Sequence, residues 1–197
     1  MRLALVTTNP LLPDEYFRPG GVDGFVEKLN SEMPHTLLDC PGQFTVKVAT
    51  FNGLVAVSQE GKQAALSQRH SRLEEAAEKA HRLTIALRAK GYEAYQFHDR
   101  RSSLVTVGSF QRPGIPRPGG SIEHEPQVVD LIRRFGAKQQ SSLAPGSPQA
   151  VRATNLEPQS LQVGPGERIP FDVVPSLIEV PRRAISADYA GPSSRLR

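Results

Sequence analysis

The residue types in this chain that do covalent or metal chemistry are few and scattered. One cysteine, Cys40, lies five positions after His35 in the stretch His35-Thr36-Leu37-Leu38-Asp39-Cys40-Pro41. A thiol nucleophile needs a base beside it and a lowered pKa. His35 sits in a loop-like stretch, and we read Cys40 as a small buried residue. The five histidines, His35, His70, His81, His98 and His124, show neither an HExxH motif nor a paired spacing. His70 and His81 fall about three turns apart on one predicted helix, too far to share an ion on that helix alone. Pro118-Gly119-Gly120-Ser121 is glycine-rich but lacks the lysine and the strand–loop–helix setting of a phosphate loop. The sequence therefore calls for no cofactor, no metal and no enzymatic activity.

What remains is surface chemistry, set by the elements that carry it. Hydrophobic residues make up 38% of the 197 positions, with 16 Gly, 17 Pro and no Trp. That describes a modest core carrying long loops. No apolar run approaches the roughly 20 residues of a membrane span. The opening Met-Arg-Leu-Ala-Leu-Val is ended by Thr7 to Pro10, short of the about 7–15 apolar residues at the centre of a secretory leader. A single cysteine excludes an intrachain disulfide. The net charge of +4 is concentrated in the middle: residues 61–120 hold 11 basic and 5 acidic side chains, against 4 and 7 over residues 1–60. Arg69, Arg72, Lys79, Arg82 and Arg88 alternate with Glu74, Glu75 and Glu78, the pattern of a solvated helix face.

Residues 1–43 read as an N-terminal arm. Its prolines and glycines between 9 and 22 break regular structure, Leu11 to Phe17 form an apolar island, and Val22, Phe25, Val26 and Leu29 fit one face of a short helix over 22–30. Phe44 to Phe51 alternates, with Phe44, Val46 and Val48 on one side and Thr45, Lys47 and Ala49 on the other, which predicts a half-buried strand that Leu54 to Val57 extends. Leu73, Ala76, Ala80, Leu83 and Leu87 predict a long amphipathic helix over 64–90, stopped by Gly91. Two strands follow, Tyr92–His98 and Leu104–Phe110, close enough to be an antiparallel hairpin about Asp99–Ser102. Tyr95 and Phe97 are assigned to the core side, with Gln96 and His98 opposite. After a Pro/Gly loop over 111–120, Pro126 and Gly136 bracket a second helix whose buried face is Val128, Leu131, Ile132 and Phe135. Residues 137–197 read as a Pro/Ser/Gly-rich linker up to 168, a late β-like segment over 169–180 suited to a sheet edge by its prolines, and a mobile tail.

The order strand, helix, strand, strand, helix, late strand predicts an α+β fold: a small antiparallel sheet with two helices packed on one face, ferredoxin-like in topology, elaborated by extended N- and C-terminal arms. The segments FTVKVATF (44–51), AHRLTIALRAKG (80–91), YEAYQF (92–97) and LVTVGSF (104–110) together resemble a SPOR (sporulation-related repeat) domain over residues 44–136. That family pairs a strand of the form aromatic-x-V-x-V-x-x-F with a helix ending in L-R-x-K-G and a hairpin closing on V-x-V-G-x-F. Lys47 departs from the polar amide many such domains carry, and the last strand is displaced by the linker.

The resemblance implies a non-enzymatic binding module of the bacterial cell envelope. It would take peptidoglycan glycan strands on the open sheet face. The alternative is a structural or assembly protein that uses the same fold to contact envelope proteins, without glycan binding. The expected ligand-contacting residues are Lys47, Gln96, His98 and Thr106 on the open face, with Phe51 at its rim. Nucleic acid is not expected: RNA readers of similar topology stack bases on open-face aromatics, whereas Tyr95 and Phe97 are assigned here to the core. Localisation follows the resemblance to the cell envelope, and without it the chain would be cytoplasmic.

Overall fold

A computed structural model describes residues 21–53, 62–118, 122–141 and 154–183. The island at Leu11–Phe17, the strand extension at Leu54–Val57 and the predicted tail lie outside them. In chain order the main elements are α1 (Gly24–Ser31), a 3-10 turn (Leu37–Asp39), β1 (Phe44–Asn52), α2 (Lys62–Ala89), β2 (Ala94–His98), β3 (Ser102–Phe110), α3 (Pro126–Phe135), β4 (Ser160–Gly164), β5 (Glu167–Pro170) and β6 (Ser176–Glu179). The fold is α+β, with a four-stranded antiparallel sheet in the order β6-β1-β3-β2.

The long helix forms where its period predicts. Ala76, Ala80, Leu83 and Leu87 are buried. Its end is a Schellman turn: the Tyr92 N–H donates to the Leu87 carbonyl at 3.1 Å and the Gly91 N–H to that of Arg88 at 2.9 Å. This needs a left-handed residue, and Gly91 has φ 84°. Against the same sheet face α3 sets Val128 and Phe135. The Phe135 ring stands edge-on between Tyr92 and Phe171, at 5.3 and 4.9 Å between centroids.

Two rows of side chains crossing all four strands define the faces. Leu177, Val46, Val107 and Ala94 are cross-strand neighbours and belong to the main core with α2 and α3. Ser176, Lys47, Thr106 and Tyr95 form the row on the reverse face. Two bulges break simple alternation. The register shifts between Lys47 and Ala49, so Val48 and Ala49 both enter the main core, and Phe51 packs against it as well. A second shift falls between Val107 and Phe110, where Gly108 takes φ 83° and lets Phe110 turn back into the core.

The reverse face, which the sequence leaves either open or covered by the arms at the ends of the chain, is covered. Residues 22–40 lie across it as a cover. Val26, Leu37, Leu38 and Cys40 form a second cluster with Tyr95, Phe97 and Val180 of the body, flanked by Val22 and Leu104. Tyr95 and Phe97 thus point away from α2, the opposite of their assigned side. All five residues of β2 are buried, so a polar/apolar alternation does not tell its two faces apart. The α1 face also differs from expectation: Val26 and Asn30 are buried, while Phe25 and Leu29 are exposed. The Arg100 guanidinium sits 4.7 Å above the Phe25 ring and pairs with Asp23 at 2.8 Å. Asp23 caps α1 through the N–H groups of Phe25 and Val26.

The stretch read as a linker holds structure too. Residues 138–141 pair with 154–157, and β4 and β5 form a hairpin about Gly166, at φ 74°. Leu161, Val163, Ile169 and Phe171 from this region extend the main core over α2. Asp172 then completes the exposed edge of β1. Its N–H donates to the Val48 carbonyl at 2.8 Å, and its carboxylate accepts from the Thr50 N–H at 3.0 Å and the Thr50 hydroxyl at 2.8 Å. β6 follows as the edge strand between Pro175 and Pro181. Arg182 ends the path by donating to the carbonyls of Gly42 at 2.7 Å and Cys40 at 3.4 Å.

Candidate functional site

The five residues expected on one open face are split between two buried ones. Lys47 and Thr106 share the reverse face; Lys47 keeps partial exposure, and Thr106 is fully buried. Gln96, His98 and Phe51 lie on the α2 side. Gln96 is fully buried and His98 is 6% exposed. These positions correct the predicted ligand face. The β1 bulge reverses parity after Lys47, and the N-terminal segment closes the side on which Lys47 and Thr106 stand.

The polar residues brought together form a chain along the outer edge of β2. That edge would leave unpaired backbone groups, and residues 30–36 cover them without forming a strand. The Asn30 amide donates to the His98 carbonyl at 2.8 Å and to its own helix at Val26 at 2.8 Å. Its oxygen accepts the His98 N–H, also at 2.8 Å. Thr36 bridges Gln96 in parallel, and the Gln96 N–H donates to the His35 carbonyl at 2.9 Å, with His35 at φ 60°. The Gln96 side-chain amide donates to the Pro34 carbonyl at 2.7 Å and lies 3.2 Å from His81 Nδ1 on α2. His98 Nδ1 is 2.6 Å from the Ser103 hydroxyl.

Three polar atoms here have no partner among the described residues: Gln96 Oε1, His98 Nε2 and Thr106 Oγ1. Burial, reinforced by the neighbouring His81, pushes the His98 imidazole down to about 4. His35 is held below the ordinary imidazole value, by burial first and then by Arg88 and His81. Ser103 and His98 resemble a nucleophile–base pair in distance alone. Ser103 is 2% exposed and lines neither the groove beside α3 nor the groove between α2 and β4. Among the described residues no three His, Cys, Asp or Glu side chains gather as a metal site, and no helix is long and apolar enough to cross a membrane.

Thr106 offers a direct check on whether this polar material is structural. A buried hydroxyl without a partner is destabilising. Thr106→Val keeps the shape and removes it, so a gain of about 1 kcal/mol in urea unfolding is expected. A loss of stability would reveal a partner for the hydroxyl.

Two of the surface grooves elsewhere have an aromatic or apolar wall. One, of about 350 Å³, runs between α3 and the turn after α2, with Tyr92, Gln127, Asp130 and Arg134 on its walls. The other, of about 560 Å³, lies between α2 and β4, lined by Ile85, Ala86, Ala89 and Val163 with Arg82 and Lys90 at its rim. Neither includes any of the five predicted site residues. Sequence reasoning passed over Asn30, whose only signal is its place four residues after Val26 on the same helix. It also passed over Asp172 and Arg182, whose partners are 122 and 140 or more positions away. No family model, no curated protein and no solved structure matches the chain.

Proposed function

We propose that the chain is a non-enzymatic module of the bacterial cell envelope that uses a SPOR-like, ferredoxin-like frame for protein–protein contact. The frame is supported by the strand order β6-β1-β3-β2, with α2 and α3 on one face, and by the segments FTVKVATF and LVTVGSF that supply its two central strands. The observation that carries the choice is the covered reverse face. Val26, Leu37, Leu38 and Cys40 occupy the surface a glycan strand would need, and Gln96, His98 and Thr106 are buried. A polar ligand meeting this face would first have to displace an apolar cluster.

The test is a pull-down of the intact chain on purified sacculi. No retention is expected, and a photo-crosslinker placed at the exposed Phe25 position should yield protein adducts in envelope fractions. Retention abolished by Lys47→Ala would overturn this reading in favour of glycan binding on the sheet. One observation favours a second reading. The groove at Tyr92 combines an aromatic ring with the planar polar side chains of Gln127, Asp130 and Arg134, a lining suited to sugar hydroxyls. Retention on sacculi that is lost in Tyr92→Ala and Asp130→Ala, but kept in Lys47→Ala, would support it.

A further inference from the structure

We propose that the reverse face of the sheet is a docking surface for an acidic amphipathic segment of a partner protein, and that residues 22–40 occupy it as an intramolecular stand-in. This rests on the reading of the chain as a protein-contact module, and it names the surface and the chemistry of the partner. The occupant in place shows what the surface selects: apolar anchors, acidic side chains opposite a rim of arginine, and main-chain bonds at the strand edge.

Val26, Leu37 and Leu38 of the cover pack on Tyr95, Phe97 and Val180, in a cluster separate from the main core. The cover can therefore leave while α2, α3 and the opposite sheet face stay packed. Residues 22–40 carry four acidic side chains, Asp23, Glu27, Glu32 and Asp39, against one basic, Lys28. Among the described residues, each ion pair between the cover and the body has its acid on the cover and its arginine on the body. These pairs are Arg100–Asp23 at 2.8 Å, Arg183–Asp39 at 3.1 Å and Arg183–Glu27 at 3.8 Å. Arg182 adds bonds to the carbonyls of Cys40 and Gly42, and Arg88 stands 5.2 Å above the Tyr95 ring. Glu93 reaches the same edge, where its carboxylate accepts the Tyr95 hydroxyl. Opposite charge on an occupant and around its seat is what steers a partner and fixes its register.

The edge of β2 supplies the main-chain bonds. The Gln96 N–H donates to the His35 carbonyl at 2.9 Å, Thr36 bridges Gln96 in parallel, and Asn30 binds both backbone groups of His98. A peptide that docks along a sheet edge gains affinity from such bonds and specificity from its side chains. The cover runs into β1 through Pro41, Gly42 and Gln43. So short a tether holds it at high effective concentration. A partner segment must compete with it, and its apparent affinity is reduced by the fraction of molecules whose cover is open. Loosening the cover therefore raises partner affinity and exposure of Cys40 by the same factor.

The probe is a fluorescein-labelled peptide of residues 21–40 carrying Cys40→Ser, added to the intact chain at pH 7. It should bind the wild type weakly and, at saturation, speed the labelling of Cys40 by 4,4′-dithiodipyridine. Cys40 is the one thiol of the chain and is buried in the second cluster. Leu37→Ala in the protein should tighten peptide binding by at least about 30-fold. Labelling without peptide should accelerate by the same factor, with native-like far-ultraviolet circular dichroism. If Leu37→Ala does not fold, Asn30→Ala takes its place. Asp23→Lys, Glu27→Lys and Asp39→Lys together in the peptide should weaken binding about tenfold or more. The proposal is overturned if the peptide fails to bind a variant whose Cys40 labels fast, if the charge-reversed peptide binds equally well, or if Cys40 stays slow in both variants. A concentration-dependent dimer with slowed labelling would put a second copy on this face and overturn the choice of partner. Adducts from the Phe25 position without peptide binding would strike this surface and leave the protein-contact reading standing. Retention on sacculi abolished by Lys47→Ala would strike that reading itself.

Discussion

Leu87→Ala is expected to cost about 3 kcal/mol of global stability, whereas Leu37→Ala should register mainly as exposure of Cys40. Both leucines are fully buried, and a leucine truncated in a packed core loses about 2–5 kcal/mol through lost transfer energy and the cavity left behind. The difference lies in what each one holds. Leu87 stands on α2 in the main core, against the sheet and beside the Schellman turn that ends the helix. Leu37 belongs to the second cluster, which among the described residues joins residues 22–40 and Val180 to the reverse face of β2 and β3. Once the cover is weakened past its own opening free energy, the protein populates the open form, and further loss no longer reaches the main core. Urea unfolding followed by circular dichroism should therefore show a large midpoint shift for Leu87→Ala and a smaller one for Leu37→Ala. Cys40 labelling at pH 7 should accelerate strongly only in Leu37→Ala. Equal shifts of the global transition would mean that the two clusters unfold as one.

That separation also explains what the sequence conveys and what it hides. The spacing of Ala76, Ala80, Leu83 and Leu87 repeats a helical period over several turns and ends on a glycine able to adopt positive φ, so α2 and its stop are legible locally. The pairing of β2 with β3 follows from their short connection. What escapes is anything decided by distant chain. Val46 reads correctly as core because its chain neighbours Thr45 and Lys47 are polar. Tyr95 and Phe97 read wrongly because β2 is buried on both faces, and the apolar surface that receives them comes from residues 26–40, more than fifty positions earlier. A single bulge at Val48–Ala49 then moves Phe51 to the main-core side, a shift of parity that composition does not signal. The candidate site fails on two counts: the bulge carries Phe51 away from the face of Lys47, and Gln96 and His98 stand opposite Tyr95 and Phe97, on the α2 side. The hairpin of β4 and β5 hides behind Pro165 and Gly166, whose turn chemistry resembles a linker until Leu161, Val163 and Ile169 are seen to pack on α2.

Gly42→Ala should be the most damaging single-methyl addition along the path from cover to sheet. A Cβ built on Gly42 would fall 2.5 Å from the Phe110 nitrogen, 2.6 Å from the Ser109 hydroxyl oxygen and 2.8 Å from the Phe110 carbonyl oxygen. Two of those three contacts are backbone, at the end of β3, and cannot rotate away. The neighbouring strands offer little give. The Val180 N–H donates to the Gln43 carbonyl at 2.8 Å, and Arg182 binds the Gly42 carbonyl at 2.7 Å from the other side. Alanine must therefore part β1 from β3 at the point where the cover, the central strands and the C-terminal segment meet. Overpacking of this kind costs about 1–3 kcal/mol and more where backbone must move, so a loss of about 3 kcal/mol is expected in urea unfolding. Cys40, two residues away, should label faster at neutral pH as the cover loses its anchor. Gly24→Ala provides the control: nothing lies within 4 Å of its Cβ position. At the first residue of α1 it should be neutral or gain up to about 1 kcal/mol, from the helix preference of alanine over glycine. A neutral Gly42→Ala would show that the chain at this junction is free to separate, and the cover would then be anchored by the second cluster and by the bonds of Asn30 and residues 34–36 to the edge of β2.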